Sequence, residues 1–139
     1  MDQVTSAQAT LTAPPLTILL VDDAPDMRLL ARVYLERSGI QVVGEAADGH
    51  EAVEAFRALE PPPIPTVILL DNQMPKQTGV QAAAQILAEM PNQLIVLFSA
   101  YLDEAIEAEA QQLGVAACVS KTDVSNLPTI IRDLVAART

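Results

Sequence analysis

Three aspartates, a serine and a lysine each stand where an apolar run of this chain ends. Asp22 and Asp23 follow Thr17-Ile18-Leu19-Leu20-Val21, Asp71 closes the run 66–70, Ser99 closes 93–98, and Lys121 comes just after 115–119. Taken singly, each has an ordinary explanation. Asp23 before Ala24-Pro25 could cap a helix, Asp71 before Asn72 could serve a turn, Ser99 could be another cap, and Lys121 sits among the turn formers Thr122, Asp123 and Ser125. Those explanations do not say why three carboxylates should share one crevice, since like charges held close disfavour joint ionisation. A cation resolves the conflict. Oxygen ligands without cysteine or histidine suit a hard ion such as Mg²⁺, which keeps several waters and needs one or two direct carboxylates; they do not suit zinc. A carboxylate in that setting can attack phosphorus while a metal and an ammonium neutralise the phosphoryl oxygens. Asp71 and Lys121 fit those two tasks.

The elements that must bring these residues together follow from hydropathy. The run 17–21 is continuous enough to be a strand buried on both faces. Met27, Leu30 and Tyr34 recur at helical spacing in a helix from Pro25 to about residue 38, with Gly39 as its stop. The span 40–46 is a shorter, more polar strand suited to a sheet edge, and Asp48-Gly49 turns into a second helix carrying Ala52, Val53, Phe56 and Leu59. Pro61, Pro62, Pro63 and Pro65 form a stiff connector to the third strand at 66–70. Val80, Ala83, Ala84 and Leu87 mark a third helix, and 93–98 is a fourth strand. A fourth helix over 101–113 is rich in alanine and acid, with only Leu102, Ile106 and Leu113 as large aliphatic contacts, so its hold on the sheet is expected to be weak. A fifth strand at 115–119 and a last helix carrying Leu127, Ile130, Ile131 and Leu134 complete the alternation. Five strands alternating with five helices imply an α/β fold: a five-stranded parallel sheet, doubly wound, most commonly in the order 2-1-3-4-5. Ligands in that order bind at the carboxyl ends of strands one and three. All the polar residues named above belong to that end.

Composition narrows the partners. The chain has 139 residues, half of them hydrophobic, which suits one domain with its own core. Residues 1–15 are small, polar and without periodicity, and read as a flexible N-terminal tail ahead of a folded domain at 16–139. No apolar run is long enough to span a bilayer and no signal-peptide pattern opens the chain, so a cytoplasmic protein is expected, with no membrane insertion. Eighteen acidic residues against eight basic ones give a formal net charge of −10, and there are two Tyr, two Phe and no Trp. That balance argues against direct nucleic-acid binding. Cys118, the single cysteine, lies in an apolar run and reads as a small core thiol rather than a redox sensor. His50, at a helix start remote from the strand ends, reads as a solvated residue without a role.

Residues 17–135 strongly resemble the receiver domain of bacterial two-component response regulators. The matching motifs are Ile18-Leu19-Leu20-Val21-Asp22-Asp23, Asp71 followed by Met74-Pro75 and Gly79, Ser99-Ala100 after a strand, and Lys121 after Val119-Ser120. More loosely, 42–49 is similar to receivers that precede a helix-turn-helix output domain. The resemblance implies a flavodoxin-like receiver fold and a phosphoryl group accepted on Asp71 from a sensor histidine kinase, a histidine phosphotransfer protein or a small phosphodonor. It implies that Asp23, Asp71 and the backbone carbonyl of Gln73 bind Mg²⁺ directly, with Asp22 acting through water. Ser99 and Lys121 would each take a phosphoryl oxygen after transfer. Phosphorylation would then bias the fourth helix between two packings and signal to a downstream protein or a second copy at the face formed by the fourth helix, fifth strand and fifth helix. The resemblance thus implies a phospho-accepting signalling domain, not an enzyme that turns over an external substrate.

Departures from the family pattern are specific. Cys118 stands where most receivers carry Tyr or Phe, so the usual aromatic switch is absent; either coupling runs through other side chains, with Tyr101 a candidate, or the rearrangement is smaller. Thr122 follows Lys121 where proline is common, and Lys76-Gln77-Thr78 replaces a hydrophobic and an acidic residue before Gly79. Rival readings are weaker. An aspartyl phosphatase needs a second acid two residues after its nucleophile, and Gln73 is there instead. A nucleotide or flavin site would need a glycine-rich loop after the first strand. A phosphorylation-independent docking module must ignore all five expected side chains. The sequence stops just after its last helix, so no output domain is expected in it; a stand-alone regulator and the receiver part of a longer DNA-binding regulator both fit.

Overall fold

The computed structural model describes residues 15–59 and 65–138. The tail expected at 1–15 lies outside them except for Pro15, and so does the proline connector except for Pro65. The elements in chain order are β1 Thr17–Val21, α1 Pro25–Arg37, β2 Gln41–Ala46, α2 Gly49–Ala58, β3 Val67–Leu70, α3 Gly79–Glu89, β4 Leu94–Ser99, α4 Glu104–Leu113, β5 Ala117–Ser120, a 3-10 segment Lys121–Asn126, and α5 Leu127–Arg138. All strand pairs are parallel and the sheet order is β2-β1-β3-β4-β5, as the alternation implied.

Alternate residues of the inner strands feed two separate cores. Leu19, Val21, Ile68, Leu70, Ile95 and Leu97 pack with α2, α3 and α4 on one face. Ile18, Leu20, Val67, Leu69, Val96 and Phe98 pack with α1 and α5 on the other. Burial on both faces explains why these strands read as unbroken apolar runs that end abruptly. β2 is indeed an edge strand, and its Gln41 and Glu45 are not buried.

Caps set where the helices begin. Asp48 accepts from the Glu51 N–H at the start of α2, and Asp103 does the same for Ile106 at the start of α4. Thr78 and Gln81 form a reciprocal capping box on α3. The cap on Asp103 starts α4 at Glu104 rather than at Tyr101, and β5 begins at Ala117 rather than at 115. The face of α1 also differs from expectation. Ala31 and Leu35 are its buried residues, whereas Leu30 joins Leu29 and Val33 on the exposed side and Tyr34 is only half-buried. Apolar residues on both sides of α1 obscured its periodicity. α4 buries only Ala110, with Leu102, Ile106 and Leu113 partly covered, in line with the weak hold expected of it. Among the described residues no helix is long and apolar enough to cross a membrane.

Candidate functional site

Register brings the polar strand ends together. Val21 pairs with Leu70, so Asp22 and Asp71 leave the sheet side by side. Leu70 pairs with Leu97, which places Ser99 two residues further along β4, and Ser99 pairs with Ser120, which places Lys121 next to it. The sheet continues hydrogen bonding into this end: the Asp22 N–H donates to Ala46 O at 3.1 Å and the Asp71 N–H to Val21 O at 2.9 Å.

Asp71 is the centre of the arrangement. Its side chain is buried, and Oδ1 accepts from Ser99 Oγ at 3.0 Å and from the Gln73 N–H at 3.2 Å. The Lys121 ammonium lies 3.2 Å from Asp71 Oδ2 and 2.7 Å from Asp22 Oδ2, bridging two buried carboxylates. Asp22 Oδ1 accepts from the Ala24 N–H at 2.9 Å. Asp23 is exposed, and one oxygen each from Asp22, Asp23 and Asp71 lies within 4.8 Å of the others. Three carboxylates at that spacing, with oxygen donors alone, match the ligand chemistry of a hard divalent cation.

Two of the bland readings fail on this geometry. Ala24, not Asp23, is the cap of α1, and no side chain caps it; Ser99 caps nothing, since Asp103 does. Asp71 does form a turn bond to Gln73, and Lys121 does open a 3-10 segment, but neither role accounts for the buried ion pairs. With Thr122 following it, Lys121 still reaches both carboxylates.

Electrostatics follow from burial. Desolvation pushes the Asp71 carboxyl above the ordinary aspartate range; the Lys121 charge pulls it back, and the charge on Asp22 pushes it up again. Burial works against the Lys121 ammonium, yet hydrogen bonds and charges from Asp22 and Asp71 outweigh it and hold that group above the usual lysine value.

The loop after Asp71 is built tightly. A Cβ on Gly79 would sit 2.3 Å from Asp71 O, so only glycine lets α3 start this close to the acceptor. Asn72, buried, accepts from the Val80 N–H through Oδ1 at 2.9 Å. Lys76 adopts φ +71° and reaches Asp48 Oδ2 at 3.5 Å, Gln77 packs against Gly49, and Thr78 caps α3. Of the residues that depart from the family pattern, Lys76 and Gln77 thus tie the acceptor loop to α2, and Thr78 starts α3.

Tyr101 is 53% exposed and its phenol donates to Asp103 Oδ2 at 3.0 Å. Cys118 is half-buried against the α2–α3–α4 core, a correction to its reading as a buried core thiol. Burial and then the charge of Glu107 raise its pKa, which disfavours thiolate. His50 is exposed and lies 3.3 Å from Glu54, one turn on.

Fold and site define a doubly wound α/β domain with an acidic pocket at its strand order reversal. Residues 18–132 match the family model described as the response regulator receiver domain. The chemotaxis protein CheY of Thermotoga maritima is 35% identical over 97 residues, covering 70% of this chain and 78% of CheY. A protein-glutamate methylesterase/protein-glutamine glutaminase of Desulfitobacterium hafniense is 35% identical over 127 residues, 87% of this chain but 31% of that protein. The receiver domain of the response regulator NarL from Mycobacterium tuberculosis superposes with a TM-score of 0.81 at 30% identity, covering 89% of this chain and 98% of that one. The chain belongs to the response regulator receiver domain family, whose members are two-component signalling domains.

Proposed function

We propose that this chain accepts a phosphoryl group on Asp71, with Mg²⁺, and signals through the α4–β5–α5 face. The observation that carries the reading is the buried Asp71 carboxylate held by Ser99 and Lys121 within reach of Asp22 and Asp23. Bound Mg²⁺ would supply charge neutralisation for the phosphoryl oxygens and for the carboxylates. Asp23, Asp71 and the Gln73 carbonyl are its direct ligands in this reading, and Asp22 acts through water.

The remaining steps belong to the chain's own side chains. Asp71, partly desolvated and therefore a stronger nucleophile when ionised, attacks the phosphorus of a phosphohistidine on a sensor kinase or phosphotransfer protein, or of a small phosphodonor. The bond from phosphorus to the donor nitrogen or oxygen breaks as the bond to the Asp71 oxygen forms. Lys121 shifts from the carboxylates to a phosphoryl oxygen, and Ser99 donates to another. Release of Ser99 from Asp71 moves the 99–103 loop, whose Tyr101 is hydrogen-bonded to Asp103, the cap of α4. With Cys118 in place of an aromatic residue, that Tyr101–Asp103 link is the proposed coupling to α4. The folded unit is 16–139, it acts in the cytoplasm, and a downstream protein or a second copy docks on the α4–β5–α5 face. The chain itself carries phospho-transfer and self-dephosphorylation chemistry only.

Intact-mass measurement after incubation with a small phosphodonor tests this reading. One phosphoryl group should appear with Mg²⁺, not without it, and not in Asp71→Asn. A chain that stays unmodified with a small donor and with its kinase alike would favour a docking module that works without phosphorylation.

A further inference from the structure

Arg28 makes contacts that a surface cation on a helix does not need. Its Nη1 donates to the backbone carbonyl of Asp22 at 2.5 Å, and its Nε donates to Glu45 Oε1 at 3.0 Å. Its side chain is 20% exposed, so the group is held in place and not waving in solvent. Glu45 lies one residue before Ala46, the last residue of β2, whose carbonyl accepts the Asp22 N–H. Both backbone groups of Asp22 are therefore tied to the end of β2, the N–H directly and the carbonyl through Arg28 and Glu45.

The Asp22 carbonyl is half of the peptide that joins Asp22 to Asp23. A peptide is planar, so fixing its oxygen fixes the plane from which the Asp23 Cα sets out. The Asp23 carboxylate has no protein partner among the described residues, and nothing in its own side-chain contacts orients it.

Neither α1 nor Glu45 accounts for an arginine here. Arg28 is the fourth residue of α1, close to the positive end of the helix dipole, where a cation is disfavoured. Glu45 is already paired by Arg32, which donates Nε to Oε2 at 3.0 Å and adds a second contact through Nη2. What Arg28 alone reaches is the Asp22 carbonyl.

Resting on the Mg²⁺ reading above, we infer that Arg28 is a positioning residue for the metal site: it holds the Asp22–Asp23 peptide and so sets where the Asp23 carboxylate stands. The inference has a sign that separates it from simple charge effects. Deleting a cation beside three carboxylates should tighten Mg²⁺ binding on Coulombic grounds alone, whereas losing the orientation of a ligand should weaken it.

The test is Mg²⁺ titration by calorimetry on the full chain, with Arg28→Met, Arg28→Lys and Arg32→Met beside the wild type. Arg28→Met should weaken Mg²⁺ binding by about tenfold, as loss of a hydrogen bond orienting a ligand does. Its phosphorylation rate should return to the wild-type value at saturating Mg²⁺. Arg28→Lys, which keeps the charge and one donor, should recover part of the affinity. Arg32→Met, which loses the same ion-pair network without touching Asp22, should lower Tm and leave Mg²⁺ affinity unchanged. Equal or tighter binding in Arg28→Met, or an equal loss in Arg32→Met, would overturn the inference. Should Arg28→Met fail to fold, the comparison of Arg28→Lys with Arg32→Met decides: weaker binding in the lysine variant alone supports it, and equal binding overturns it. A wild-type chain that binds no Mg²⁺ overturns the metal reading itself, and this inference with it.

Discussion

Replacing Lys121 by methionine should both destabilise the metal-free domain and sharpen its response to Mg²⁺. The ammonium sits 2.7 Å from Asp22 and 3.2 Å from Asp71, and both carboxylates are almost wholly buried. Methionine fills similar space but leaves two buried carboxylates without a cation. Breaking a buried pair by removing one partner costs about 3–5 kcal/mol, and the exposed flank at Asp23 argues for the lower end, about 3 kcal/mol. For a domain of this size that is a fall in Tm of roughly 10–15 °C. Mg²⁺ should then do the work of the missing ammonium. Stabilisation by a bound ion is RT ln(1 + [Mg²⁺]/Kd), about 1.4 kcal/mol at ten times Kd and about 2.7 kcal/mol at a hundred times Kd. A roughly tenfold gain in affinity, as removal of a competing cation implies, would therefore about double the Mg²⁺-induced shift at a fixed concentration. Thermal denaturation followed by circular dichroism across a Mg²⁺ series, for both proteins, reads both effects. A variant that melts with the wild type in chelator, or whose Mg²⁺ shift is no larger, would refute the idea that Lys121 holds the charge balance of this pocket.

Other perturbations have equally definite outcomes. Asp71 has a folded pKa above its unfolded value, so between those two values the native state binds more protons than the unfolded state and stability falls as pH rises. In chelator, Asp71→Asn should therefore melt above the wild type at neutral pH, with a gap that closes as pH falls into the ordinary carboxylate range; a gap independent of pH would contradict the assignment. Gly79→Ala should cost about 2–3 kcal/mol, because its Cβ meets the Asp71 backbone rather than a side chain that can move, and should lower phosphorylation yield along with Tm. Tyr101→Phe removes only the exposed bond to Asp103, so the unfolding free energy should change by less than about 0.5 kcal/mol. Hydrogen exchange should nonetheless show a smaller phosphorylation-dependent change in α4; a full-sized change would exclude Tyr101 as the coupling residue.

Why the strand ends could be read from sequence has a physical reason. Parallel strands buried on both faces are continuous apolar runs, so Asp22, Asp71, Ser99 and Lys121 stand out sharply, and strand order then decides that they meet. The contacts that were not legible depend on tertiary geometry. Leu29, Leu30 and Val33 give α1 an apolar outer side, which pulled the inferred face away from Ala31 and Leu35. Asp103 moves the start of α4 past Tyr101 and Leu102, whose apolar character had extended the helix backwards. Arg28 carried no signal, because a long cation on a first helical turn reads as solvated surface unless the carbonyl it reaches is known. Lys76, Gln77 and Thr78 looked like bare departures from a pattern, and only the fold shows Lys76 at the α2 cap, Gln77 on Gly49 and Thr78 capping α3.

The most direct test of the central claim is to locate the acyl phosphate. Borohydride reduces an aspartyl phosphate to homoserine, which peptide mass spectrometry places at a single residue. After treatment with a small phosphodonor and Mg²⁺, homoserine should appear at position 71 and at neither 22 nor 23, and chelator should abolish it. Homoserine at Asp22 or Asp23, or an equal yield at Asp71 without divalent cation, would contradict the account.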